Sequence, residues 1–151
     1  MVLNYKRNNM KKLIPVIIVL GVISLSCKTN KYISFTYSVV TRGFKLETVI
    51  TKETTTITQQ GSTSKSKTIK TDKTLWKFLV NETSKIDLNG ISTLEAPTNK
   101  RHIDAAMFAS LTIATKDSIY RSNSFDAGHP PSTIKTVVDA LVKESEKINE
   151  K

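Results

Sequence analysis

From Tyr32 to Thr41 the chain alternates: Ile33, Phe35, Tyr37 and Val39 point one way, Ser34, Thr36 and Ser38 the other. A period of two is that of a half-buried β-strand. Phe44, Leu46, Thr48 and Ile50 continue the alternation. Arg42-Gly43 between the two runs predicts a tight turn, because glycine accepts positive φ without a side-chain clash. The two runs therefore read as a hairpin with one apolar face.

Thr51 to Thr74 breaks this pattern, with Ile57 and Ile69 the only apolar residues among Thr, Ser, Lys and Gln. It reads either as a threonine-rich binding face or as two solvated strands divided at Gln60-Gly61-Ser62. The second reading is preferred, since Thr favours strands and Lys protects exposed edges. Asp72 is placed to cap a helix over Leu75–Glu82, with Leu75, Phe78 and Leu79 on one face and Trp76 and Val80 on an adjoining stripe. Residues 86–101 read as an irregular connection anchored by Ile86, Leu88, Ile91 and Leu94. Met107, Ala109, Leu111 and Ile113 then alternate with Phe108, Ser110, Thr112 and Ala114 as a buried strand. Lys116-Asp117 turns it and Ser118–Phe125 returns. Pro130-Pro131-Ser132 leads into a last helix, with Ser132 as its expected cap and Ile134, Val137, Val138, Leu141 and Val142 as its apolar stripe. The charged tail from Lys143 is expected to fray. The fold class that follows is α+β: an antiparallel sheet of about five to six strands, in two or three hairpins, with two helices packed on one face.

The first 27 residues follow a different rule. Lys11 and Lys12 precede the apolar run from Leu13 to Ile23, and Ser24-Leu25-Ser26-Cys27 closes it. A basic start, a short apolar middle and small residues before a break make a secretory signal. The run is short for a membrane span, which needs roughly 20 apolar residues. Met10 to Cys27 resembles a bacterial lipoprotein signal, of the looser Bacteroidota type, with Ser24 where Leu is usual. That resemblance implies lipidation of Cys27 and a palmitate-bearing anchor in the cell envelope. The alternatives are an ordinary cleaved signal with a chance cysteine, or an uncleaved anchor. The expected organisation is a signal over 1–27, a polar tether over 28–31 and one α+β domain over 32–151. Lys28-Thr29-Asn30-Lys31 lacks an acidic cluster resembling a surface-export signal, so a periplasm-facing position on the outer membrane is favoured. Met10 also looks like a natural start.

Composition then narrows the function. The chain has 151 residues, 23 Lys+Arg against 13 Asp+Glu, a net charge of +10 and one cysteine. One cysteine excludes an intramolecular disulfide framework and is too few for a Cys-based zinc site. Four of the basic residues and none of the acidic ones precede Cys27, so beyond it the charge falls to +6. Lys65, Lys67, Lys70, Lys73 and Lys77 cluster, but the stretch to Thr74 has no aromatic side chain for stacking on bases. With export from the cytoplasm, nucleic acid is not an expected partner. The expected partners are the membrane, through the lipid, and an envelope protein or glycan.

Gly-x-Ser-x-Gly, Walker and His-Glu-x-x-His motifs are absent. One constellation remains. With Lys116-Asp117 as the turn, antiparallel pairing matches residues whose numbers sum to 233, bringing Asp104 to His129 and Met107 to Asp126. His102, Asp104, Asp126 and His129 would then stand at one end of a hairpin and could bind a divalent metal. Against this, Asp126 could cap loop amides and Arg101 could pair with either aspartate. The order of elements, with Thr41-Arg42-Gly43-Phe44 and Pro130-Pro131-Ser132-Thr133-Ile134, resembles small emfourin-like bacterial protease inhibitors, although one Gly stands where two are usual. The chain is equally similar to uncharacterised small lipoproteins. Asp117-Ser118-Ile119 resembles the Asp-Ser/Thr-apolar acceptor of O-glycosylated envelope proteins, or is simply a hairpin turn. The preferred function is a non-enzymatic envelope binding or inhibitor-like module with no cofactor. The alternative is a metal-dependent envelope enzyme using His102, Asp104, Asp126 and His129.

Overall fold

The computed structural model describes residues 31–102 and 106–150. Seven antiparallel strands form one sheet: β1 (Tyr32–Thr41), β2 (Phe44–Thr51), β3 (Thr54–Gln60), β4 (Lys65–Lys70), β5 (Phe108–Thr115), β6 (Ile119–Arg121) and β7 (Phe125–Asp126). Their order is β4-β3-β2-β1-β5-β6, with β7 also on β5. Two helices, α1 (Lys73–Thr83) and α2 (Ser132–Ser145), complete an α+β domain. The sheet is open, with β4 and β6 at its edges.

The core lies on one face. Phe35, Tyr37, Val39, Ile50, Ile57, Ala109, Leu111 and Ile113 project from the strands, and Trp76, Leu79, Ile134, Val137, Val138 and Leu141 meet them from the helices. The alternation of β1 from Phe35, of β2, and of β5 from Ala109, with the stripe of α2, thus packs as expected; Met107, expected to begin the buried set of β5, precedes the strand and is 50% exposed. The Trp76 ring meets Phe35 edge-on at 5.3 Å, in the range where aromatic pairs add to simple area burial. Asp72 caps α1 by accepting the amides of Thr74 at 2.7 Å and Leu75 at 3.0 Å. These bonds hold its carboxyl below the usual range.

Five local expectations are corrected. Ile33 is not a core residue: the β1–β5 register shifts between Tyr32 and Ser34, and this bulge buries Tyr32 while leaving Ile33 51% exposed. On α1 the buried stripe is Trp76, Leu79 and Thr83, and Phe78 is 41% exposed, because the helix turns Trp76 onto Phe35. Ser132 is the first residue of α2; Pro131 holds the cap position, with no side-chain hydrogen bond. The return strand divides in two: β6 keeps the expected pairing (Thr112 with Arg121), but β7 slips by one, so Phe108 rather than Met107 opposes Asp126. The extra residue lies in Ser122–Ser124, where the Ser122 hydroxyl accepts the Leu111 amide at 3.0 Å in place of a ladder carbonyl.

The tail does not fray. A 3₁₀ turn over Glu146–Asn149 follows α2. The Lys67 amine on β4 donates to the carbonyls of Lys147 at 2.9 Å and Glu150 at 3.0 Å, and Lys65 reaches Asn149. Glu144, almost buried, pairs with Lys147 at 2.8 Å. Part of the lysine cluster therefore clamps the C-terminal segment against the edge of the sheet.

Candidate functional site

With the helices on one face, the alternate residues of β1 to β6 form a second face that is half-exposed or exposed. The strand registers align these residues in rows. One row runs Ser66, Thr58, Glu47, Ser38, Ser110; the next runs Thr68, Thr56, Val49, Thr36, Thr112, Arg121. Thr and Ser occupy most positions, and Thr56 and Thr68 hydrogen-bond across β3 and β4 at 3.2 Å. Threonine keeps its strand preference while leaving a hydroxyl toward water. The result is a well-specified sheet with a polar, uncovered side.

At the end of this face away from Tyr32, the surface dips. A depression of about 260 Å³ is lined by Ser38, Val40, Phe108, Ser110, Arg121, Ser122 and Ser124. Ser124 is shared with a second depression of about 320 Å³, lined by Leu94, Glu95, Ala96, Asn99, Arg101 and Asn123. Together they make a shallow groove from the sheet face over the β6–β7 link to the loop before β5. Phe108 is 39% exposed in its floor. Arg121 is exposed, and its guanidinium has no partner among the described residues. Arg101, by contrast, is held: Nη1 donates to the Thr98 carbonyl at 2.6 Å and lies 4.0 Å from the Asp126 carboxylate. The groove thus carries an apolar ring, several hydroxyls, one fixed and one free guanidinium, and the Glu95 carboxylate. Few polar groups on an apolar floor are the ingredients of small-ligand recognition.

Asp126 organises the groove's outer wall. Its buried carboxylate accepts the Thr98 hydroxyl and the backbone amides of Lys100 at 2.8 Å and Arg101 at 2.5 Å. Burial opposes its ionisation. The Thr98 hydroxyl, the Arg101 and Lys100 amides and the Arg101 charge outweigh that effect, so the carboxyl titrates below its usual range. Both oxygens are engaged in folding the loop, and a bound cation would have to compete with these donors. His129 is brought back toward Asp126 by a turn in which its amide donates to the Asp126 carbonyl at 2.8 Å, but its side chain is exposed. His102 closes a 3₁₀ turn over Lys100–His102; its side chain and Asp104 lie outside the described residues, as does Cys27. Among the described residues, no three His, Cys, Asp or Glu side chains converge into a metal-holding group.

Sequence reasoning passed over Phe108, Arg121 and Thr98. The available signal was in β5, where Phe108 is an aromatic residue on the polar side of an otherwise regular alternation. Among the described residues no helix is long and apolar enough to cross a membrane. Comparison with protein-family models, curated proteins and solved structures returns no match.

Proposed function

We propose that this protein is a membrane-anchored envelope lipoprotein, lipidated on Cys27, whose domain is a non-enzymatic binding module for an acidic glycan. The observation that carries the binding reading is the groove: an exposed Phe108, the hydroxyls of Ser38, Ser110 and Ser124, and the unpartnered Arg121 at one end of an uncovered sheet face. The apolar ring suits the C–H side of a pyranose, and serine hydroxyls suit its O–H groups. A guanidinium fork matches a carboxylate in two parallel hydrogen bonds. An open, shallow shape suits an extended polymer better than a small molecule that must be enclosed. The anchor reading rests on the apolar run ending at the single cysteine. A lipid on a short polar tether would keep the module at the envelope, where such polymers occur.

Two measurements test this reading separately. Labelled palmitate should enter the wild-type chain and not Cys27→Ala; equal labelling would remove the anchor. Calorimetric titration with uronic-acid oligosaccharides should give saturable binding, weakened by Arg121→Gln and by Phe108→Ala, with neutral oligosaccharides binding less well. No heat from either glycan class, together with in-cell cross-linking of the groove to a protein, would replace the glycan by a protein partner of the inhibitor type.

A further inference from the structure

We infer that the end of the sheet at which β1 begins is a membrane-contact rim, in which Ile33 and Ile119 enter the headgroup region of an anionic phospholipid bilayer. The two isoleucines are the most exposed large apolar residues described, at 51% and 75%. They are neighbours by construction of the sheet. Ile119 pairs with Ala114, Ala114 pairs with Ser34, and the bulge beside Ser34 turns Ile33 out of the core. Two strand spacings, about 10 Å, separate them.

At this end of the sheet exposed basic residues outnumber acidic ones. The start of β1, the β2–β3 turn, the end of β4 and the β5–β6 turn all lie here. They carry exposed Lys31, Lys52, Lys70 and Lys116, with Lys73 opening α1. Glu53, Asp72 and Asp117 are the acidic residues among them, and Asp72 is committed to the helix cap. Apolar side chains ringed by lysines match an interface that offers acyl chains below and anionic headgroups above. The chain also leaves the fold at this point: the Lys31 carbonyl accepts the Lys116 amide at 3.0 Å, tying the entry of β1 to the β5–β6 turn. Only Lys28 to Lys31 separate Cys27 from β1. At about 3.5 Å per extended residue, such a tether holds the rim within roughly 14 Å of any lipid on Cys27, about two headgroup layers. The inference rests on the anchor reading to this extent, and on the exposed isoleucines and lysines independently of it.

The test uses the full chain in vesicles of phosphatidylethanolamine and phosphatidylglycerol. With Cys27 consumed by lipid, or replaced by alanine where the chain proves unacylated, a cysteine introduced by Ile119→Cys is the only thiol available to a fluorophore; Lys135→Cys, on the exposed side of α2, is the control and Ile33→Cys the second probe. Retained burial of the single Trp76, seen in its emission, verifies folding of each variant. Labels at 119 and 33 should be protected several-fold from aqueous iodide relative to 135 and quenched by nitroxide-bearing lipid. Iodide access equal at all three positions would overturn the rim. Intact mass on the same samples separates the two readings. Acylated chain with 119 unprotected overturns the rim and leaves the anchor. Unacylated chain with 119 still protected overturns the anchor and upholds the rim, and unacylated chain with 119 unprotected overturns both.

Discussion

Replacing Phe35 by alanine and its neighbour Thr36 by alanine should have opposite consequences, although the two stand side by side on the central strand β1. Phe35 is fully buried, with the Tyr32 ring at 5.7 Å and the Trp76 ring at 5.3 Å. Its truncation removes the apolar surface that joins sheet to α1 and leaves a cavity, which costs about 3–5 kcal/mol for Phe→Ala in a well-packed core. Against a total stability of about 5–15 kcal/mol, that is a third or more of what holds the domain together. Thr36 is half-exposed on the uncovered face between Val49 and Thr112. Its truncation removes only strand preference and cross-strand contact, about 1 kcal/mol or less. Urea unfolding followed by emission of Trp76, the single tryptophan, reads both. With a slope of about 1–3 kcal/mol per molar, Phe35→Ala should lower the midpoint by roughly 2 M and Thr36→Ala by less than about 0.5 M. The folded baseline of Phe35→Ala should also shift to longer wavelength as water reaches the indole. Equal midpoints for the two variants would refute the division into a packed and a free face, and the binding surface with it.

Gly43, at φ 75° in the β1–β2 turn with open space where a Cβ would stand, pays no steric cost there; Gly43→Ala should lose about 1 kcal/mol and Gly43→Asn less, by thermal melting. The Asp126 carboxyl titrates below its ordinary value of 3.8 in the folded state, so its contribution is fully present above that pH and is lost as pH falls through the lower folded value. Acid unfolding of wild type should therefore steepen below pH 3.8, Asp126→Asn should flatten that slope, and unchanged slopes would contradict the role given to Thr98 and the two amides. Lys67→Met should remove the two bonds that clamp the tail, about 1 kcal/mol of local stability, raising amide exchange in residues 146–150 while leaving the midpoint of the whole domain nearly unchanged.

What could be read in advance follows from the range of the interactions involved. The alternation of β1, β2 and β5, the Asp72 cap and the α2 stripe are local patterns, and each packs as its period requires. The alternation failed where one inserted residue changed the phase: Ile33 turned outward at the bulge in β1, and Asp126 moved to Phe108 after the bulge at Ser122. Neither bulge has a mark in the sequence, since Ser122 is needed for its hydroxyl and any residue can occupy an extended position. The charged tail read as solvent-exposed because its partners, Lys65 and Lys67, lie some eighty residues earlier. Among the proposed metal ligands, Asp126 was also readable as a clamp on loop amides, and that is the geometry its carboxylate has. The groove was not readable, because Ser38, Phe108, Arg121 and Ser124 come from separate elements and meet only once register is set.

The low apolar content of the body and its free sheet face have one physical origin. Beyond Cys27 about a third of the residues are hydrophobic, near the low end for a globular domain, and two helices can cover only one side of a seven-stranded sheet. Strand formation on the other side then has to come from side chains that favour extended backbone without demanding burial. Thr36, Thr51, Thr54, Thr56, Thr58, Thr68 and Thr112 meet that condition, as apolar β-branched residues would not. The exceptions on that face are informative because nothing in the fold requires them. Phe108 stands at one end, beside Val40, and Ile119 and the outward-turned Ile33 at the other, about 23 Å away at 3.3 Å per residue; Arg121 lies between them, level with Thr112 and Thr36 and two residues from Ile119. If the isoleucine end rests on lipid, Phe108 and the serines of the groove stand about 20 Å above it, within reach of a polymer of the envelope, with Arg121 on the membrane side of the groove. Exchanging the two residues, as Ile119→Arg with Arg121→Ile, would leave the core untouched and should weaken both proposed contacts, the lipid contact as iodide protection of a label at position 33 and the glycan contact as heat of titration.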